Sequence, residues 1–194
     1  MKKQFLLACV LSALTLPAVA DNFYVFGDLG QGKMEVDLGD DYSLSKTSTT
    51  YSIGAGYDVN EFFAVEVAYR DLGNVKFSGE DFDDVGDYTY TDKHSATALQ
   101  ASVVGKLPIS DEFSLFGRVG VANLDVDSKY TASFANGDAP YSDTSSESKT
   151  RAVFGLGASY NITEQVALRA EYNQFAKWDD VKLSGFTVGA VYKF

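Results

Sequence analysis

Eight stretches of the chain alternate apolar and non-apolar side chains with a period of two: 22 to 30, 49 to 58, 62 to 71, 96 to 107, 112 to 124, 150 to 160, 165 to 174 and 184 to 194. Each is close to the span of about 9 to 11 residues that a tilted strand needs to cross a membrane. One parity collects Phe23, Val25 and Leu29 on the first stretch, Val65, Val67 and Tyr69 on the third, and Val166, Leu168, Ala170 and Tyr172 on the seventh. The last stretch adds Phe186, Val188, Ala190, Tyr192 and Phe194. No charge occurs among these residues. The other parity carries Asp28, Ser52, Glu66, Arg70, Gln100, Ser102, Arg118, Arg169, Glu171 and Asn173. Strands with one apolar face and one mostly polar face point to an all-β fold.

The first residues bear on compartment. Lys2 and Lys3 precede the apolar run FLLACVLSALTLPAVA, and Ala18-Val19-Ala20 before Asp21 has the small-x-small form of a signal-peptidase site. Residues 1–20 are therefore read as a signal peptide and 21–194 as the barrel domain. A competing reading takes Leu6-Leu7-Ala8-Cys9 as a lipoprotein box. It would strand the greasy remainder at the new N-terminus, so the later site is favoured. Cleavage at Ala20 removes Cys9, the one cysteine, and with it any disulfide or thiolate chemistry. It also removes Lys2 and Lys3, so the 16 bases fall to 14 against 27 acids. A chain this acidic repels nucleic acid phosphates, which excludes that class of partner. Beyond residue 20 no apolar run approaches the 18 or so residues of a spanning helix. Any crossing of a membrane is by strands.

The connections alternate in length. DVNEF, PISDE and NITEQ are tight, whereas 31 to 48, 72 to 95, 125 to 149 and the shorter 175 to 183 are read as long loops. Short turns on one rim and long loops on the other are the up-and-down membrane-barrel arrangement. Phe23, Tyr57, Phe63, Phe113, Tyr160, Tyr192 and Phe194 lie beside the short turns and form an aromatic girdle at one interface. A soluble barrel would place its apolar parity inside and has no reason to set aromatics at strand ends. Lipid satisfies no backbone N–H or C=O group, so the first and last strands must pair. The expected fold is an eight-stranded antiparallel up-and-down transmembrane β-barrel, and Phe194 closes it at the interface.

The segments FYVFGDLG, GYDVNEFFAVEVAYRDLG, LPISDEFSLFGRVG, VALRAEY and VGAVYKF resemble, in their order, the transmembrane domain of the OmpA family, including its small porin-like members. The resemblance implies an outer-membrane location in a Gram-negative cell, contact with lipid and lipopolysaccharide, and insertion by the barrel-assembly machinery. It identifies Tyr192 and Phe194 as that machinery's signal. Many relatives continue into a peptidoglycan-binding domain; nothing follows Phe194, so tethering to the cell wall is not expected.

Glu66, Arg118 and Arg169 lie a few residues from a short turn, and Glu171 one inward step beyond Arg169. At about 3.3 Å per residue they share a depth near mid-membrane, and an eight-stranded barrel is narrow enough for them to meet. In the resembling family, residues matching Glu66 and Arg169 belong to a salt-bridge network able to act as a gate. Val104 stands where a lumenal lysine is expected and Ser159 where a second glutamate is common, so the switching partner is in question. Charges that merely neutralise one another in a confined core are the plainer reading.

Other motifs carry less. DFDDVGDYTYTD in the acidic loop 72–95 follows an EF-hand at Asp81, Asp83, Gly86 and Asp92, but Val85 replaces a ligand and the closing Glu is missing. Weak divalent-cation bridging to lipopolysaccharide phosphates stays open there. His94 beside Ser95 invites a lipid hydrolase, yet adjacent strand residues point to opposite faces and no base-orienting third group or oxyanion site is evident. Trp178 suits the outer interfacial belt. No phosphate loop, zinc cluster or cofactor fingerprint occurs. The expected function is a monomeric structural barrel that maintains membrane integrity and offers its loops to a host or environmental surface. A narrow pore through the Glu66, Arg118, Arg169 and Glu171 region is the alternative.

Overall fold

The computed structural model describes residues 22–37, 43–83, 86–134, 140–177 and 181–194. Eight strands follow one another: β1 Phe23–Asp37, β2 Ser43–Asp58, β3 Phe63–Asp83, β4 Gly86–Pro108, β5 Phe113–Phe134, β6 Tyr141–Asn161, β7 Val166–Phe175 and β8 Val181–Lys193. Each is antiparallel to its neighbour, and β1 pairs with β8 from Tyr24↔Lys193 to Val36↔Val181, closing the barrel. Residues 1–20, read above as a signal peptide, and Trp178 lie outside the described residues.

The three short turns share one plan. A polar side chain at the second turn position accepts the backbone N–H groups that the reversal leaves over. Asn60 Oδ1 accepts from the N–H of Phe62 and of Phe63, both at 2.8 Å. Ser110 Oγ accepts from Glu112 and Phe113, and Thr163 Oγ1 from Gln165 and Val166. The turns therefore follow from DVNEF, PISDE and NITEQ as local sequence.

The long connections differ from expectation. Most of 31–48, 72–95 and 125–149 is strand and not loop: β3 and β4 stay in register from Asn74↔Ser95 to Asp83↔Gly86, and β5 and β6 out to Ala132↔Tyr141. The reason is a change of surroundings along the strands. Within hydrocarbon the outward face is apolar and the inward face carries the polar and charged residues among aromatic and small ones. Beyond it the inner face is largely apolar and the outer face polar, as in a water-soluble protein. Val75, Ala96, Leu124 and Leu183 are buried inside, while Asn74, Ser95 and Asp127 are exposed outside. A search for apolar residues on the lipid parity stops where the lipid stops.

One irregularity carries that inner face across β3. The register shifts between Asp71 and Asn74, and the extra residue sits at Gly73 with φ of 86°, a conformation that side chains rarely adopt. Asp71 Oδ1 accepts the Gly73 N–H at 2.8 Å, and Ser48 donates to the Leu72 carbonyl at 2.8 Å. The bulge turns Val75 inward and Lys76 outward.

Around the membrane band the apolar parity faces out, with Val67, Ile53, Leu168 and Val188 each about half exposed. At the short-turn rim Phe23 packs on Tyr57 at 4.9 Å between centroids and Tyr192 on Phe194 at 5.3 Å. An arginine introduced at Val67, near the middle of the band, should lower the unfolding free energy by about 2 to 4 kcal/mol, whereas one at Thr49, beyond Tyr51, should cost about 0 to 1. Denaturant titration of both variants in lipid vesicles measures the difference, and equal costs would contradict this orientation.

Candidate functional site in the barrel lumen

From the short-turn rim inward, the lumen is stacked in layers. The first is a cavity of about 260 Å³ lined by Asp58, Glu61, Lys106, Asp111, Ser159 and Lys193 among others. Above it lies a ring of buried Tyr24, Phe26, Ala64, Val104, Phe116, Ala167 and Val191. Large rings from β1 fit because glycine stands opposite: Tyr24 faces Gly56 and Phe26 faces Gly54 in register, and a Cβ on either glycine would run into the ring.

The charged layer follows. Arg118 donates from Nε to Glu171 Oε1 at 2.6 Å and from Nη2 to Glu66 Oε2 at 2.5 Å. Arg169 donates from Nη1 to Glu66 Oε1 at 3.0 Å and from Nη2 to Asp28 Oδ2 at 2.8 Å. Its guanidinium also lies 4.0 Å from the centre of the Phe26 ring, a cation–π arrangement. Tyr24 donates to Glu66 at 2.8 Å and Ser52 to Asp28 at 2.9 Å. Arg70 completes the group, with Nη2 3.9 Å from Glu171. With its amide turned to suit both neighbours, Asn173 donates to Glu171 and accepts from Arg70. Three carboxylates and three guanidinium groups, all buried, thus balance one another. A charge withdrawn from water needs such pairing and additional hydrogen bonds.

Glu66, Arg118, Arg169 and Glu171, the residues singled out by depth counting, lie together in this layer. Asp28 and Arg70 were on the lumenal parity but were not assigned to the network. Asp28 lies as far from Phe23 as Arg118 does from Phe113, so the same count would have found it. Arg70 is further along β3 and reaches back through its long side chain, which counting residues does not reveal. Val104 is buried in the aromatic ring and Ser159 borders the cavity. The nearest lysine, Lys106, is one inward step closer to the rim and is held by Asp58 at 2.5 Å.

Above the charges the lumen is apolar again: Ala98, Ala122, Leu124, Val153, Phe175 and Leu183 are packed together, with Met34 and Leu72 against them. A narrow void lined by Val75, His94 and Ala96 toward the long hairpins runs down beside Leu72, Phe175 and Leu183 to Arg70 and Asn173 of the charged layer.

His94 and Ser95 lie within β4 and not at a loop junction. His94 is half-buried, Ser95 exposed. The imidazole bonds Ser128 Oγ through Nδ1 at 2.8 Å and Asp92 Oδ2 through Nε2 at 2.9 Å. The order Asp, His, Ser suggests a triad, but the contacts follow from register: His94 is directly opposite Ser128, and Asp92 is the next inward residue on β4. The β3–β4 and β4–β5 ladders occupy the backbone on both sides of His94, so no pair of N–H groups converges on a developing oxyanion. The EF-hand-like segment runs as a hairpin pairing Asp81 with Tyr88 and Asp83 with Gly86, a geometry that cannot wrap a cation as an EF-hand loop does. Val85 lies outside the described residues. No group of three or more His, Cys, Asp or Glu side chains among the described residues is placed to hold a metal.

Comparison with known proteins agrees with this architecture. Two sequences of Outer membrane protein P5 from Haemophilus influenzae are 24% and 26% identical, each over 88% of this chain. The chain spans about half the length of these curated relatives, 51% and 50%. Among solved structures, Ail of Yersinia pestis bound to the heparin analogue sucrose octasulfate superposes with a TM-score of 0.55 at 22% identity, covering 89% of this chain and 99% of that one. Neisserial surface protein A superposes with a TM-score of 0.59 at 18% identity, covering 89% and 97%. The outer membrane protein beta-barrel domain family matches residues 5–194, so the chain belongs to that family, as an OmpA-like barrel of the outer membrane.

Proposed function

We propose that this protein is a sealed, structural barrel that contributes to outer-membrane integrity and presents its long hairpins at the cell surface. The observation that carries this reading is the pair of stacked seals: a charge layer closed by its own ion pairs and, directly above it, an apolar layer built around Leu124 and Phe175. Moving ions through the first would require breaking buried pairs, and moving them through the second would require wetting a narrow apolar constriction beside Phe175 and Leu183. The absence of a lysine at position 104 supports the same reading, because Arg118 and Arg169 each already engage two carboxylates. A gated narrow pore is the competing reading, and the cavity on the short-turn side is its best support. Tyr192 and Phe194, exposed at the girdle, are proposed as contacts for the assembly machinery.

Planar-bilayer recording decides between the two. The expected result is no discrete openings from wild type or from Arg169→Ala; reproducible openings in either would reject the seal. Overexpression should leave lipid A chemically unchanged, and a modified lipid A would mean enzymatic activity after all. A structural network also predicts a particular pattern of stabilities. Arg118→Ala takes from Glu171 its one close guanidinium and from Glu66 one of two, leaving a buried excess of negative charge, and should cost about 3 to 5 kcal/mol. Combining Arg118→Met with Glu171→Gln should cost clearly less than the two single changes added together, as urea unfolding in detergent will measure.

A further inference from the structure

Lys76, Lys93 and Lys129 form a row across three adjacent strands. Lys76 is directly opposite Lys93 on β3 and β4, and Lys93 directly opposite Lys129 on β4 and β5. All three are exposed, on the outer face of the hairpins, since their neighbours Val75, His94 and Ser128 point into the barrel mouth. Like charges directly opposite each other on adjacent strands destabilise a sheet. The arrangement is produced by the bulge at Gly73: with regular pairing Lys76 would face inward.

Three other lysines of the hairpins have acid partners. Lys33 and Lys182 both reach Glu35, and Lys149 reaches Glu147. Lys76, Lys93 and Lys129 have no ion pair among the described residues. A chain with 27 acids has thus set three bases side by side without giving them one. We infer that their counter-ions come from outside the protein, as phosphate groups on the core of lipopolysaccharide molecules packed around the barrel.

Height favours the core over the lipid A headgroup. Leu99 marks the top of the apolar parity on β4. Lys93 is six residues beyond it, about 20 Å along the strand and, with the usual tilt of a membrane strand, roughly 15 Å above the hydrocarbon. Asp127, one outward step nearer the membrane beside Ser95, would repel a phosphate at its own level, so the anion is confined to the lysine row. This inference rests on the barrel lying in an outer leaflet of lipopolysaccharide, and adds the chemistry by which it grips that leaflet.

The test compares wild type, the triple variant Lys76→Gln/Lys93→Gln/Lys129→Gln and the single variant Lys93→Glu in nanodiscs, with thermal unfolding followed by circular dichroism. Three membranes are used: phosphatidylcholine alone, lipopolysaccharide with a phosphorylated core, and the same lipopolysaccharide stripped of core phosphate but retaining its lipid A phosphates. In phosphatidylcholine the triple variant should unfold a few degrees above wild type and Lys93→Glu higher still, because repulsion is relieved and then replaced by attraction. With the phosphorylated core the order should reverse. Removing core phosphate should restore the first order. The same ranking in all three membranes would overturn the inference, and so would a reversal that survives loss of core phosphate, which would assign the lysines to lipid A. Bilayer recording of the triple variant keeps the two readings separate: openings would count against the sealed barrel and leave the phosphate result untouched.

Discussion

Hydrocarbon offers no hydrogen bonds, and the rest of this molecule is arranged around that fact. Every backbone N–H and C=O within the membrane band must find a partner in the protein. Eight strands satisfy the requirement by meeting end to end, with β1 between β2 and β8. Closure then fixes the two faces. A one-residue slip anywhere would carry Glu66 or Arg169 into lipid and Val67 or Leu168 into the lumen, so the register is held by the whole alternation and not by any one contact.

Past the cavity at the short-turn rim, a lumen this narrow cannot be left polar and empty. Side chains fill it, and each charge that enters must be neutralised by another that enters beside it. That explains why the carboxylates and guanidinium groups are balanced and why Glu66 accepts from Tyr24, Arg118 and Arg169 at once. It also explains the glycines facing Tyr24 and Phe26: in a cylinder of fixed radius, a ring on one strand demands the absence of a side chain on the next.

The sequence reveals most where one physical rule acts on every residue. Strand identity, parity and the short turns were legible because hydrocarbon imposes period two on the whole band and because Asn60, Ser110 and Thr163 announce their reversals locally. The charged layer was legible in part. Depth counting brings Glu66, Arg118, Arg169 and Glu171 together, but it is blind to side-chain reach and so gave no place to Arg70. The upper barrel was misread because its inner face is apolar and its outer face polar, the inverse of the pattern sought. The bulge left only a faint signal: an Asp-Leu-Gly-Asn stretch says that a turn chemistry is available and not that it will be used within a strand.

That inversion bears on how the hairpins work. Above the membrane the strands could have given way to coil, since water satisfies a free backbone. They remain paired because the inner parity still has an apolar core to bury, with Val75, Ala96, Leu124 and Leu183 continuing the stack inside the membrane band. The outer parity is then released from both lipid and core. It is held on a stiff sheet above the hydrocarbon, where side chains can be set at fixed spacing toward whatever surrounds the protein. Mobile loops would let three lysines spread apart and solvate separately. A paired sheet denies them that escape, so their mutual repulsion persists until an external anion relieves it.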